Sequence, residues 1–346
     1  MSRGYHTLRV ADVIDETHDA RSFVLDVPPE LQSAYGYRAG QFLTFQIPAE
    51  GETLLRCYSL SSAPETDGRL KVTVKRVDAG RGSNWFNDCV RPGDPIAVLP
   101  PAGLFVLRES AAPLCLFAGG SGITPVISLI KSALETTGRR ILLVYANRDA
   151  RSVIFRAELD ALELRHPDRL RVVHHLDDTQ GFLEAGAVRP LVAEIEAAHF
   201  YICGPGPFMD VVESVLVSTG VPRECIFIER FLSLPSHEEV EAENVVAAQE
   251  VEGRAHPAEV LLHLDGSSHR VPYHAGDTVL ETARKGGLEP PFACEDGYCG
   301  SCAARLVRGE VVMHKNEVFS QAEVAAGNIL TCQARPCSGE LEVSYD

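Results

Sequence analysis

Short runs in which apolar and polar residues alternate fill residues 5–107: HTLRVADV, RSFVLDV, QFLTFQI, RCYSL, RLKVTVKRV and DPIAVL, separated by Pro, Gly and Asp turn signals. Period-two alternation, clearest in RLKVTVKRV, predicts half-buried strands. Their even spacing predicts a small antiparallel β-barrel. From about residue 114 the rhythm changes. Apolar runs (LCLFA, RRILLVYA, LRVVHHL, HFYIC, CIFI) alternate with helix-like stretches (TPVISLIKSALETT, SVIFRAELDALELR, PFMDVVESVLVSTG), a pattern that predicts an α/β doubly wound parallel sheet. Residues 236–257 combine high charge with no sustained apolar period and read as a linker. An EVLLHL strand opens the last segment. The chain is thus expected to be multi-domain, with domains at 1–107, 108–235 and 258–346, as suits 346 residues at roughly 100–200 residues per domain.

The last segment carries the most specific chemistry. Cys294, Cys299 and Cys302 lie in CEDGYCGSC as C-x4-C-x2-C, and Cys332 follows at a distance in ILTCQARP. This is the plant-type spacing for a [2Fe-2S] cluster. Zinc ligands pair more closely and recruit a second matched pair or a histidine. Gly297 and Gly300 would let the loop curl around the sulfides.

Charge narrows the partners. A net charge of −16 argues against nucleic acid and anionic membranes, which need clustered basic residues. The acidic excess is concentrated late, with 6 acidic against 1 basic residue in 236–257 and 13 against 7 in 258–346. Glu295 and Asp296 could steer a basic partner, simple solubility being the equal alternative. No apolar leader or membrane-length run is found, and Cys57, Cys89, Cys115, Cys203, Cys225 and Cys337 show no disulfide-like rhythm. A cytoplasmic location is expected.

Three further motifs lie upstream. Arg56, Cys57, Tyr58 and Ser59 offer a cation, an aromatic face and a hydroxyl at one strand end; VKR, with Val74 and Lys75, and GRGSNW follow. AGGSGITP places Gly119, Gly120, Gly122 and Thr124 between a strand and a helix, the context a phosphate-cradling turn requires. Thr124 is expected as N-cap and Pro125 as first helical residue. YICGPGPF again runs from strand to helix, with Cys203, Gly204 and Pro205 at the strand's carboxyl end, where open α/β sheets bind ligands.

In this order the motifs resemble the ferredoxin–NADP reductase superfamily, and with the C-terminal cysteines they resemble, over essentially the whole chain, the reductase components of multicomponent oxygenases. The resemblance implies a β-grasp (α+β) ferredoxin domain and FAD. It implies Arg56 on the flavin phosphates, Tyr58 against the isoalloxazine, Ser59 near its reactive nitrogen, and Gly82, Ser83 and Asn84 opening a helix toward the pyrophosphate. It groups Ser59, Cys203 and Glu229 around the hydride path and lays Phe231 over the flavin. Asn147 and Arg148 follow the second parallel strand, where the adenosine ribose is read. An acid there favours an unphosphorylated ribose and an arginine can accept a 2′-phosphate. Arg148 and Asp149 stand side by side, so the residues leave the coenzyme open; overall resemblance favours NADH, with NADPH the alternative.

The implied function is electron transfer. A nicotinamide gives two electrons at once and a [2Fe-2S] cluster takes one, and a flavin between them can hold the pair and release it singly. The implied acceptor is a terminal oxygenase, Rieske or di-iron, with steroid or aromatic catabolism as the setting. A nucleotide-regulated redox sensor and a zinc-stapled structural protein are the rival classes.

Overall fold

The computed structural model describes residues 5–49, 52–195, 197–231, 247, 251, 253–292, 295, 297, 300–319 and 321–345. The N-terminal strands β1 (His6–Thr17), β2 (Ala20–Asp26), β3 (Phe42–Ala49), β4 (Glu52–Ser59), β5 (Leu70–Lys75) and β6 (Pro95–Val98) pair antiparallel in the order β4-β3-β6-β1-β2-β5. A bridge between Leu60 and Val72 joins the two ends of that order, closing the barrel. Helix α1 (Arg81–Cys89) drives Phe86 into the barrel core, where it meets Phe23, Phe45 and Tyr58 edge-on at 5.0–5.2 Å. Burying that ring contributes roughly 2–3 kcal/mol, enough to fix the helix against the barrel.

The α/β portion comprises β7 (Leu114–Gly119), α2 (Ile123–Thr136), β8 (Ile141–Asn147), α3 (Arg156–Arg165), β9 (Leu170–Leu176), α4 (Asp177–Gln180), α5 (Ala185–Ala193), β10 (His199–Cys203), α6 (Gly206–Ser218) and β11 (Ile226–Glu229). Its strands run parallel in the order β11-β10-β7-β8-β9. Strands β7 and β8 are buried along their whole length because helices cover both faces. One apolar cluster lies under α2 and α3, another under α5 and α6.

Barrel and parallel sheet form one body, His6–Pro101 with Phe105–Phe231. Ser128 on α2 donates to the Ser62 carbonyl at 2.5 Å and accepts from the Gly40 N–H at 3.3 Å. Lys131, 5% exposed, meets Asp67 at 2.7 Å and Glu158 at 3.1 Å. That bridge ties the barrel to α2 and α3.

The other body holds Tyr5, Ala102–Leu104 and the described residues beyond Phe231. Strands β12 (Glu259–Leu264), β13 (Ser267–Pro272), β14 (Ala303–Met313), β15 (Asn328–Leu330) and β16 (Ala334–Ser344) form one mixed sheet, β13-β12-β16-β14-β15. Helix α7 (Val279–Lys285) packs on it, started by a capping box between Thr278 and Glu281; α8 (Gln321–Ala325) is a short turn before β15. Most of the expected linker lies outside the described residues.

Three local expectations are corrected. The Gly120–Gly122 turn winds directly into α2, so Gly122 is the N-cap, Thr124 lies within the first turn, and Pro125 is third rather than first. Thr124 donates to the Ser121 carbonyl at 3.0 Å instead of capping. Helix α3 starts at Arg156 rather than near Ser152, because Phe155 takes a left-handed φ of 59° and turns the chain. Helix α5 is absent from the expected pattern, since Gly186 and Pro190 inside it speak against a helix.

Candidate functional site

Arg56, Cys57, Tyr58 and Ser59 end β4, paired through Leu43 and Phe42 to β3. Tyr58 is wedged between Phe45 and Phe86. Ser59 is buried, and the Cys57 sulfur lies 3.4 Å from the Thr44 hydroxyl. Helix α1 begins after Gly80, which has no side chain to cap it. A Cβ on Gly82 would lie 2.9 Å from Arg56 Cγ and 3.2 Å from the Tyr58 hydroxyl. The guanidinium-bearing strand and the uncapped helix therefore converge on a site only glycine leaves open. These residues fit a flavin pyrophosphate, with Arg56 and the α1 N-terminus to hold it.

Ser83 and Asn84 stand in the first turn of α1, as expected. Ser83 is buried and accepts from the Val77 N–H at 3.1 Å, so its hydroxyl already shapes the turn before α1. Asn84 continues the first turn through a bond from its N–H to the Gly80 carbonyl. The Val74 side chain points into the barrel core and its carbonyl accepts from Asn87 at 3.2 Å. Phe231 is 43% exposed at the end of the described segment.

On the nucleotide side two loops touch backbone to backbone. A Cβ on Gly122 would overlap the Cys203 carbonyl, and one on Gly119 would lie 2.7 Å from the Pro205 ring. Gly204 comes within 3.0 Å of the Gly119 Cα by the same measure. Gly120 has a left-handed φ of 53°, and its carbonyl accepts from the Tyr145 hydroxyl at 3.1 Å. Lys75 Nζ reaches the mouth of this turn, 3.6 Å from where a Gly120 Cβ would stand. Asn147 is buried at the end of β8, whereas the Arg148 side chain is 61% exposed.

Cys203 and Glu229 are register neighbours at the carboxyl ends of β10 and β11. Surrounding protein pushes the Glu229 carboxyl up to about 8, and burial followed by the nearby Glu229 pushes the Cys203 thiol up. Both therefore carry protons at neutral pH. A neutral pair lets a nicotinamide approach without repelling negative charge.

In the second body Cys302 and Cys332 are 2% and 4% exposed and neither is in a disulfide. Thr331 joins their segments, its N–H and hydroxyl donating to the Cys302 carbonyl at 3.2 and 3.0 Å. Gly297 and Gly300 take φ of 78° and 69°, the left-handed curl expected of this loop. Two buried thiols on adjoining segments fit thiolate ligation; Cys294 and Cys299 lie outside the described residues, as does Asp296. Glu295 meets Arg284 at 3.2 Å, so its charge is partly spent within the domain.

Two features carry no sequence motif and emerge only from the fold. Asp19 meets both Arg148 and Lys75. Asp177 and Asp178 follow β9, and the Asp178 N–H donates to the Arg148 carbonyl at 3.0 Å.

Comparison with known proteins agrees with this layout. Models of the oxidoreductase FAD-binding domain, the oxidoreductase NAD-binding domain and the 2Fe-2S iron-sulfur cluster binding domain match residues 7–107, 116–214 and 262–337. The chain is 42% identical over 339 residues to the 3-ketosteroid-9-alpha-monooxygenase ferredoxin reductase component of Rhodococcus rhodochrous, covering 98% of this chain and 96% of that one. It is 33% identical over 358 residues to a component of the 1,2-phenylacetyl-CoA epoxidase of Escherichia coli, covering 99% and 98%. Among solved structures, phthalate dioxygenase reductase superposes with a TM-score of 0.58 at 30% identity, over 99% of this chain and 98% of that one. An intact type IV self-sufficient cytochrome P450 monooxygenase shares the fold, with a TM-score of 0.69 at 24% identity, but this chain spans only 41% of it. The chain belongs to the family of reductase components of oxygenase systems, built from FAD-binding, NAD-binding and [2Fe-2S] domains, that carry electrons from NAD(P)H toward an oxygenase.

Proposed function

We propose that this protein feeds the Rieske oxygenase of a 3-ketosteroid 9α-hydroxylating system from NADH, in the cytoplasm. The observation that carries this reading is end-to-end identity of 42–43% to ferredoxin reductase components of 3-ketosteroid-9-alpha-monooxygenases, against 33% to the epoxidase component. Thermodynamics is compatible: plant-type clusters lie near roughly −400 mV and Rieske centres at about −150 mV or above, a drop of about 250 mV. Per electron that favours transfer by roughly four powers of ten.

When bound, FAD would accept a hydride and pass its electrons on singly to the cluster. The chain's part is to place and shield. Arg56 and the start of α1 would anchor the flavin phosphates. Lys75 and the Gly119–Gly122 turn would receive the nucleotide, and Ser59, Cys203 and Glu229 would line the hydride path. Cys294, Cys299, Cys302 and Cys332 would ligate the cluster.

The test is coupled turnover. In air-saturated buffer, purified protein, NADH, a 3-ketosteroid and the Rieske component should give hydroxylated steroid in proportion to NADH and dioxygen consumed. Support of a di-iron epoxidase component but not of the Rieske component would overturn the assignment in favour of the second oxygenase class.

A further inference from the structure

Asp19 lies in the tight turn between β1 and β2, on the barrel, with its carboxylate 14% exposed. One oxygen accepts from the Thr17 hydroxyl at 2.8 Å. The other meets Arg148 Nη2 at 2.6 Å, His18 Nε2 at 3.9 Å and Lys75 Nζ at 4.0 Å. The Arg76 N–H, donating to the Asp19 carbonyl at 2.7 Å, fixes the turn that presents it. One carboxylate thus holds the cation beside the glycine turn and the cation at the end of β8.

We propose that Asp19 is a specificity-determining residue that keeps Arg148 occupied and so sets the preference for NADH over NADPH. The inference rests on the reading that this chain oxidises a nicotinamide nucleotide. A free arginine after β8 could take a 2′-phosphate. Here that phosphate would have to displace a carboxylate already hydrogen-bonded to the guanidinium. It would also approach Asp178, whose backbone is bonded to Arg148, and Asp149, whose carboxylate caps the Ala150–Ser152 turn. An unphosphorylated ribose makes no such demand. Lys75 is held by the same carboxylate, but it reaches the Gly120 turn, which would receive phosphate common to both coenzymes, so its release would change their affinities alike and cancel in their ratio.

Arg148 is largely exposed, so the pair is a modest one and its release should shift the coenzyme ratio about two- to fivefold. The experiment uses the full-length FAD-loaded protein as wild type, Asp19→Asn, Arg148→Ala and the double variant. Calorimetry gives the affinities of adenosine 2′,5′-bisphosphate and 5′-AMP, and ferricyanide reduction gives kcat/KM for NADPH and NADH. Asp19→Asn should raise both the bisphosphate-to-AMP affinity ratio and the NADPH-to-NADH ratio about two- to fivefold, the latter through KM. In the Arg148→Ala background the same substitution should change neither ratio. An unchanged affinity ratio in Asp19→Asn, or an equal gain without Arg148, overturns the proposal and leaves the contact as a strut between barrel and sheet. The calorimetric arm needs no turnover, so it decides the matter even if neither coenzyme reduces the flavin, an outcome that would refute the parent reading instead.

Discussion

Single residues at the sheet's carboxyl edge carry the sharpest consequences. Glu229 is held protonated well above its ordinary value of 4.5, up to about 8. In the unfolded chain it would lose that proton above its ordinary value, so between these two values the native state binds more protons and stability falls as pH rises. Glu229→Gln removes the titration. Its melting temperature should therefore gain on wild type progressively from pH 5 to pH 8, measured by flavin release; a constant offset would show that the carboxyl titrates normally. Gly122 makes a second case. Alanine there would drive a methyl into the Cys203 carbonyl, whereas Gly138 has nothing within 4 Å and no left-handed φ. Gly122→Ala should cost about 2–3 kcal/mol in chemical unfolding as the two loops are forced apart. Gly138→Ala should be neutral or stabilising by about 0.5 kcal/mol. Equal effects at the two positions would mean that the loops do not touch as described.

At the scale of elements, what holds the site open is the join between barrel and parallel sheet. Lys131 reaches from α2 to Asp67 on the barrel and Glu158 on α3, and Lys71 adds a weaker contact to Glu158 at 3.7 Å. Replacing this buried ammonium leaves two facing carboxylates. Lys131→Met should cost about 2 kcal/mol, less than a fully enclosed pair because both acids are partly exposed. A fall of several degrees in the flavin-release temperature is the readout, and no change would show the bridge to be passive. Such joins were not legible in the sequence. Asp19 and Arg148 stand 129 residues apart, and no periodicity links them. The strands and most helices were legible because periods of 2 and 3.6 are local properties. The failures were local too. Thr124 resembles a cap because three glycines signal a loop before it, yet Gly120–Gly122 coils and hands the cap to Gly122. Helix α5 hid behind Gly186 and Pro190.

Across the whole molecule, three sheets carry three cofactor-binding chemistries in one chain, and the motifs announced them because each chemistry demands a fixed local spacing. The cysteine pattern is the strictest, since the thiolates must reach two irons. Glycines in the turns were equally readable, because backbone must approach phosphate or backbone closely. The partner was less so. The late acidic excess suggested steering, yet Glu295 is engaged by Arg284, and nothing in the spacing of charges selects an oxygenase. Electrons are expected to leave NAD(P)H through the flavin and pass onward only through the cluster. The most direct measurement is a comparison of Cys299→Ser with wild type, reading NADH-dependent reduction of ferricyanide beside that of a one-electron protein acceptor. Ferricyanide reduction should stay near the wild-type rate while transfer to the protein is lost; equal loss of both, or equal retention of both, would rule out that route.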